Sequence, residues 1–133
     1  MMDDAILHPE RASQIIDFRG IEYKGTTFTD LDALLEYRNR AYIIVEVKYG
    51  KKELPLGQKV AIERMVKDFG KRGKSAMAVI AEHHETDKQK SVYLSDCGVR
   101  SIYTSGERIW RKPKHYYTVK QIVNEYLKWV DKR

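Results

Sequence analysis

Acidic and basic side chains stand in two stretches where a sheet strand ordinarily carries neither: Asp30-Leu31-Asp32-Ala33-Leu34-Leu35-Glu36 and Ile43-Ile44-Val45-Glu46-Val47-Lys48. Both read as β-strands. Residues two apart share a strand face, so Asp30, Asp32 and Leu34 line up on one side of the first strand. Ile44, Glu46 and Lys48 do so on the second. Paired, the strands would bring three carboxylates and an ammonium to one spot. Unpaired charge is expensive to bury, so such a cluster calls for a metal ion, a partner or open solvent. Oxygen ligands around a divalent cation, beside a lysine, form the arrangement that phosphodiester hydrolysis needs. Gln58 joins them from a third element. It heads an apolar helical stripe, so its amide is expected to face the sheet and to hydrogen-bond a specific partner.

These residues need a scaffold, and the pattern of the chain supplies one. Residues 8–18 read as a short helix with Pro9 in its first turn. Ile21 to Lys24, bracketed by Gly20 and Gly25, reads as a first strand, and Thr27 to Tyr37 as a second. Arg38-Asn39-Arg40 is then a turn, and Ala41 to Tyr49 a nearly continuous apolar strand of the kind found centrally in a sheet. Short polar connections favour an antiparallel meander. After a loop over Gly50 to Gly57, a helix is expected from Gln58 to Gly70, with Gln58, Ala61, Ile62, Met65 and Phe69 on one stripe. Ser75 to Glu82 follows as a strong strand. Strand, crossover helix and strand imply a parallel, right-handed connection. Val92 to Ser95, Val99 to Tyr103 and Arg108 to Trp110 are shorter strand candidates. Thr118 to Val130 is a final amphipathic helix capped by Thr118, with Val119, Ile122, Val123, Tyr126 and Trp129 inward. The expected architecture is a single α/β domain over residues 1–133 with a mixed sheet.

Composition narrows the function classes. The chain has 133 residues, 42% of them hydrophobic and 11% aromatic, enough for one real core and too few for two. A formal charge of +6 and a pI near 9.3 favour a polyanionic partner. Residues 51–74 and 105–133 each carry eight Lys and Arg against three acids, so the rest of the chain, which holds the acidic constellation, is net acidic, an acidic centre flanked by two basic regions. In the first, Lys59, Lys67, Lys71 and Arg72 follow the expected helix. In the second, Arg111, Lys112 and Lys114 alternate with Trp110, Tyr116 and Tyr117, a composition suited to tracking a nucleic-acid backbone. The single Cys97 excludes an intramolecular disulfide framework and fits a reducing cytosol. The start lacks the n- and h-regions of a signal peptide, and no apolar run approaches the ~18 residues of a membrane span. A cytoplasmic location without membrane contact is the expectation.

Asp32, Glu46, Lys48 and Gln58 together resemble the motif of the PD-(D/E)XK nuclease superfamily, whose restriction-endonuclease-like fold is shared by Holliday-junction resolvases. The resemblance covers roughly residues 8–82. It implies a restriction-endonuclease-like αβββαβ core with a central mixed sheet flanked by helices, extended here by small C-terminal strands and a helix. By the same resemblance, Asp32 and Glu46, with the Val47 carbonyl, would hold Mg²⁺, with Mn²⁺ as its expected substitute. Lys48 would orient the attacking water or stabilise transition-state charge, and Gln58 would assist. Asp30 would be an additional ligand, and Glu10 is the candidate for the acidic residue that many members carry in the first helix. Leu31 stands where the name-giving motif has proline. The activity implied is hydrolysis of DNA phosphodiester bonds, with branched or junction DNA among the candidate substrates and a homodimer as the expected assembly. A stand-alone nuclease core would suit a phage or mobile element. Two rival readings stay open: a non-catalytic nucleic-acid-binding protein that keeps the fold, and a protein-interaction module docking through its aromatic C-terminal region.

Overall fold

The computed structural model describes residues 16–133, and the chain divides into two compact units, Met1–Asp30 and Leu31–Arg133. Glu10 and most of the expected first helix lie outside the described residues. Residues 16–18 have no regular structure.

The first unit holds a small antiparallel hairpin, β1 (Glu22–Tyr23) with β2 (Thr26–Thr27). Lys24 and Gly25 connect the strands with φ of 50° and 81°. Two consecutive positive φ values match the right-handed twist of a two-residue hairpin, and the glycine makes the second inexpensive. Phe18 packs on Phe28 with ring centroids 6.3 Å apart.

The second unit is a five-stranded mixed sheet with a helix on each face. In chain order it comprises β3 (Ala33–Tyr37), β4 (Ala41–Tyr49), α1 (Leu56–Phe69), β5 (Ser75–His83), β6 (Gly98–Thr104), β7 (Trp110–Arg111) and α2 (Val119–Lys132), with a single 3₁₀ turn at Leu94–Asp96. The strand order is β3-β4-β5-β6-β7. β4 and β5 run parallel through α1, and every other pairing is antiparallel. Strand alternation sorts the core into two faces. Ile44, Ala78, Ile80 and Tyr103 pack against Ile62 and Val66 of α1. Ile43, Val45, Met77, Val79 and Ala81 pack against Val119 and Ile122 of α2. Because both faces are covered, β4 and β5 must be apolar almost throughout, which is what their sequences show.

Several sequence expectations change. The strand expected over Arg108–Trp110 is Trp110–Arg111, with Arg108 at positive φ in the connection before it. The strand expected over Thr27–Tyr37 is two strands, Thr26–Thr27 and Ala33–Tyr37, with no ladder over residues 28–32. Aspartate is a poor ladder residue because its short side chain competes for backbone groups, and Asp32 does so here. Val92–Ser95 forms no strand; Leu94–Asp96 turns into 3₁₀ geometry, with Cys97 buried beneath. On α2, Trp129 is 52% exposed and Val130 is fully buried, one position from the expected stripe. The Thr118 cap is present as a reciprocal capping box with Gln121. Among the described residues no helix is long and apolar enough to cross a membrane.

Candidate active site

The register of β3 on β4 pairs Ala33 with Val45 and Leu34 with Ile44, so one further step would set Asp32 opposite Glu46. At that step the ladder gives way to side chains. The Asp32 backbone N–H donates to Glu46 Oε1 at 2.9 Å, and the Val47 N–H donates to Asp32 Oδ2 at 2.7 Å. From the other side, Gln58 Nε2 in the first turn of α1 donates to Glu46 Oε2 at 3.0 Å. Both Glu46 oxygens are thus fixed, and the side chain is only 3% exposed. Asp32 beside it is exposed. Lys48 follows two residues later on the same face, ~6.8 Å along the strand, and is half-buried.

Electrostatics follow from this placement. Burial raises the Glu46 carboxyl above the ordinary carboxylate range. The hydrogen bond from the Asp32 backbone and the Lys48 ammonium pull it down, whereas the Asp32 charge raises it further. A carboxylate pushed toward its neutral form by burial and a like-charged neighbour regains its charge when a cation arrives. Two carboxylates and a main-chain carbonyl form a donor set that suits Mg²⁺, which commonly takes one or two carboxylates and completes its shell with water and substrate phosphate. Among the described residues no group of three or more His, Cys, Asp and Glu is placed to hold an ion.

Of the residues singled out from sequence, Asp32, Glu46 and Gln58 are joined by direct hydrogen bonds, with Lys48 adjacent and Val47 between the two motif residues. Asp30 ends the first unit, outside any strand, so the shared strand face expected for Asp30 and Asp32 does not exist. The basic residues do not form one surface. Lys71 and Arg72 lie beyond the C-terminus of α1, past ~16 Å of helix from Gln58 to Phe69 at 1.5 Å per residue. Lys71 is paired with Asp68 at 3.0 Å. Lys67 is exposed near that end, and Lys59 sits over the Trp110 ring at 5.7 Å. Arg111 pairs with Glu107 at 2.7 Å, and Lys112 and Lys114 are exposed. Trp110 is not a free stacking surface: its Nε1 donates to Glu63 at 2.6 Å, and its ring packs on Tyr103.

Two residues belong to this neighbourhood without having been singled out. Glu82 is the register partner of Lys48 on β5, on the same sheet face. A charge at the end of an otherwise apolar strand was the available signal. Arg100 reaches the loop between β4 and α1, donating to Gly50 O and Lys52 O at 2.6 Å each; nothing in its local sequence marks it. No family model matches the chain, and neither the curated proteins nor the solved structures contain a match.

Proposed function

We propose that the protein is a Mg²⁺-dependent nuclease hydrolysing DNA phosphodiester bonds, with a restriction-endonuclease-like core built on β3, β4, α1 and β5. The observation that carries this reading is the interlock of Asp32, just before β3, with Glu46 on β4 and Gln58 on α1, with Lys48 beside them. A purely structural role is a poor account of Glu46. A carboxyl almost completely withdrawn from water is costly to ionise unless a cation or hydrogen-bond donors compensate it, and the Asp32 carboxylate beside it adds to that cost.

In this reading Asp32, Glu46 and the Val47 carbonyl would hold a divalent cation, which would supply an activated water and charge stabilisation at the phosphate. Gln58 fixes the Glu46 carboxylate in one orientation by occupying Oε2, and the Asp32 backbone does the same at Oε1. Asp32 is anchored through one carboxylate oxygen by the Val47 N–H. Lys48 brings a fixed positive charge to the place where negative charge builds on the phosphoryl oxygens. DNA is the polyanion that a basic chain of this size would engage, and action on both strands or on a junction would require two copies.

The test is incubation of the purified protein with labelled duplex, single-stranded and four-way-junction DNA in Mg²⁺, Mn²⁺ or EDTA. Cleavage that needs the metal supports the reading, and the preferred substrate names the subclass. Metal-independent binding without cleavage of any substrate would favour a non-catalytic nucleic-acid-binding protein.

A further inference from the structure

We infer that Arg100 is a positioning residue of this site, acting as a clamp on the loop that sets Lys48 and Gln58 relative to Glu46. That loop, residues 50–55, is the only covalent link between the β4 and α1 members of the site. It has no regular structure, and its residues apart from Gly50 and the buried Leu54 are exposed. Such a segment is expected to be loose, yet the geometry it spans must be held to a fraction of an ångström for catalysis.

The clamp comes from two strands away. β6 carries an irregularity opposite Ile80 and Ala81: Ile80 pairs with Ser101 and Ala81 with Val99, leaving Arg100 as the extra residue. A bulge re-aims the side chain it carries. Here it lets Val99 and Ile102 both pack toward α2 while the Arg100 side chain reaches the 50–55 loop. Its guanidinium then takes two carbonyls at once, Gly50 O through Nη2 and Lys52 O through Nη1, each at 2.6 Å. Gly50 is also held from its other side, its N–H donating to His83 O at 2.8 Å. Only a planar fork spans two carbonyls in this way; a lysine ammonium on the same stem engages them as a single point charge. The loop is therefore pinned immediately after Lys48 and before α1 begins. The leverage falls on the orientation of Gln58 toward Glu46.

The kinetic consequence rests on the nuclease reading; the structural one does not, and the test separates them. The side-chain amide of Gln58, assigned by comparison with Gln58→Ala, is followed by ¹⁵N-¹H NMR in wild type, Arg100→Ala and Arg100→Lys. In parallel, kcat and KM are measured on the best DNA substrate at saturating Mg²⁺. A clamp predicts that Arg100→Ala shifts or broadens the Gln58 amide signals. It also predicts that kcat falls by about 10- to 100-fold with KM for DNA little changed, and that Arg100→Lys gives an intermediate effect. If Arg100→Ala fails to fold, Arg100→Lys alone decides by the same two readouts. Unchanged Gln58 signals together with unchanged kcat would overturn the inference, as would a rise in KM alone, which would make Arg100 a DNA contact. If wild type cleaves no DNA, the nuclease reading fails, and the clamp is judged on the Gln58 signals alone.

Discussion

Glu46 and Asp32 are both acids, yet the chain treats them oppositely, and this difference allows structural and chemical roles to be separated by substitution. Asp32 uses one carboxylate oxygen to accept the Val47 N–H. Asp32→Asn keeps an acceptor at that position and removes the charge; Asp32→Ala removes both. Thermal or urea unfolding should find Asp32→Asn close to wild type and Asp32→Ala destabilised by about 1 kcal/mol, the usual net value of one such bond. Metal-dependent cleavage should be lost in both. Cleavage retained in Asp32→Asn would reduce Asp32 to a strand terminus. Glu46 makes a second case because its carboxyl is held above its ordinary range, chiefly by burial. The sign follows directly: a raised folded-state pKa means that the ionised form costs stability, so this contribution is present at low pH and lost as pH rises through the folded pKa. The stability of the metal-free wild type relative to Glu46→Gln should therefore improve as pH is lowered from 8. Cleavage should fall over the same range, because cation binding needs the charged form, and added Mg²⁺ should move that acid limb to lower pH. A difference in stability that is flat with pH would contradict the buried, charge-strained picture of Glu46.

At the scale of elements, the helix and sheet that present the site were legible because burial imposes periodicity. β4 and β5 are apolar on both faces, and α1 shows one stripe, so their positions and parallel relation follow from pattern alone. The candidate site inside them was legible for the complementary reason, since Glu46, Lys48 and Gln58 break that pattern. What pattern could not give was the place where β3 begins. Asp30 and Asp32 continue the alternation on paper, but Asp32 ends the ladder by taking the Val47 N–H itself. Nor could it give Arg100, whose position depends on a bulge that has no local signature, or the turn at Leu94–Asp96, where Val92-Tyr93-Leu94 looks strand-like. Packing makes its own test at the C-terminus of α1. A Cβ on Gly70 would lie 2.2 Å from Ser105 Cβ, a contact that forces either the helix end or the β6–β7 connection to move. Gly70→Ala should destabilise the fold by about 1–3 kcal/mol, the range for overpacking, while leaving Mg²⁺-dependent cleavage by the folded fraction intact. At the start of the other helix, loss of the Thr118 capping box in Thr118→Ala should cost about 1 kcal/mol, read by denaturant midpoint.

Over the second unit as a whole, the candidate site lies toward the C-terminal ends of the parallel strands, where Lys48 and Glu82 are register partners. The chain after β7 runs toward that same end, since Gly98 opposite Glu82 also bridges Thr118. Lys112 and Lys114 therefore follow the sheet edge opposite β3, on the stretch that runs toward the end of the sheet holding Lys48 and Glu82, whereas Lys71 and Arg72 occupy the far end of α1. A backbone-tracking interface should use the first group more than the second. Charge reversal at Lys112 and Lys114 together is expected to weaken DNA binding and to lower the slope of log K against log salt by about 2; reversal at Lys71 and Arg72 should change it less. Equal effects would indicate diffuse attraction by the net charge of +6 rather than a path. Within the second unit, the acidic pair and its lysine are proposed to form a catalytic site. The most direct test is a single-turnover cleavage rate on the preferred DNA substrate at saturating Mg²⁺ for wild type and Lys48→Ala, with DNA affinity measured in EDTA. Metal-dependent cleavage by wild type, reduced by orders of magnitude in Lys48→Ala at unchanged affinity, is the predicted result; equal rates in the two proteins, or no cleavage by either, would contradict it.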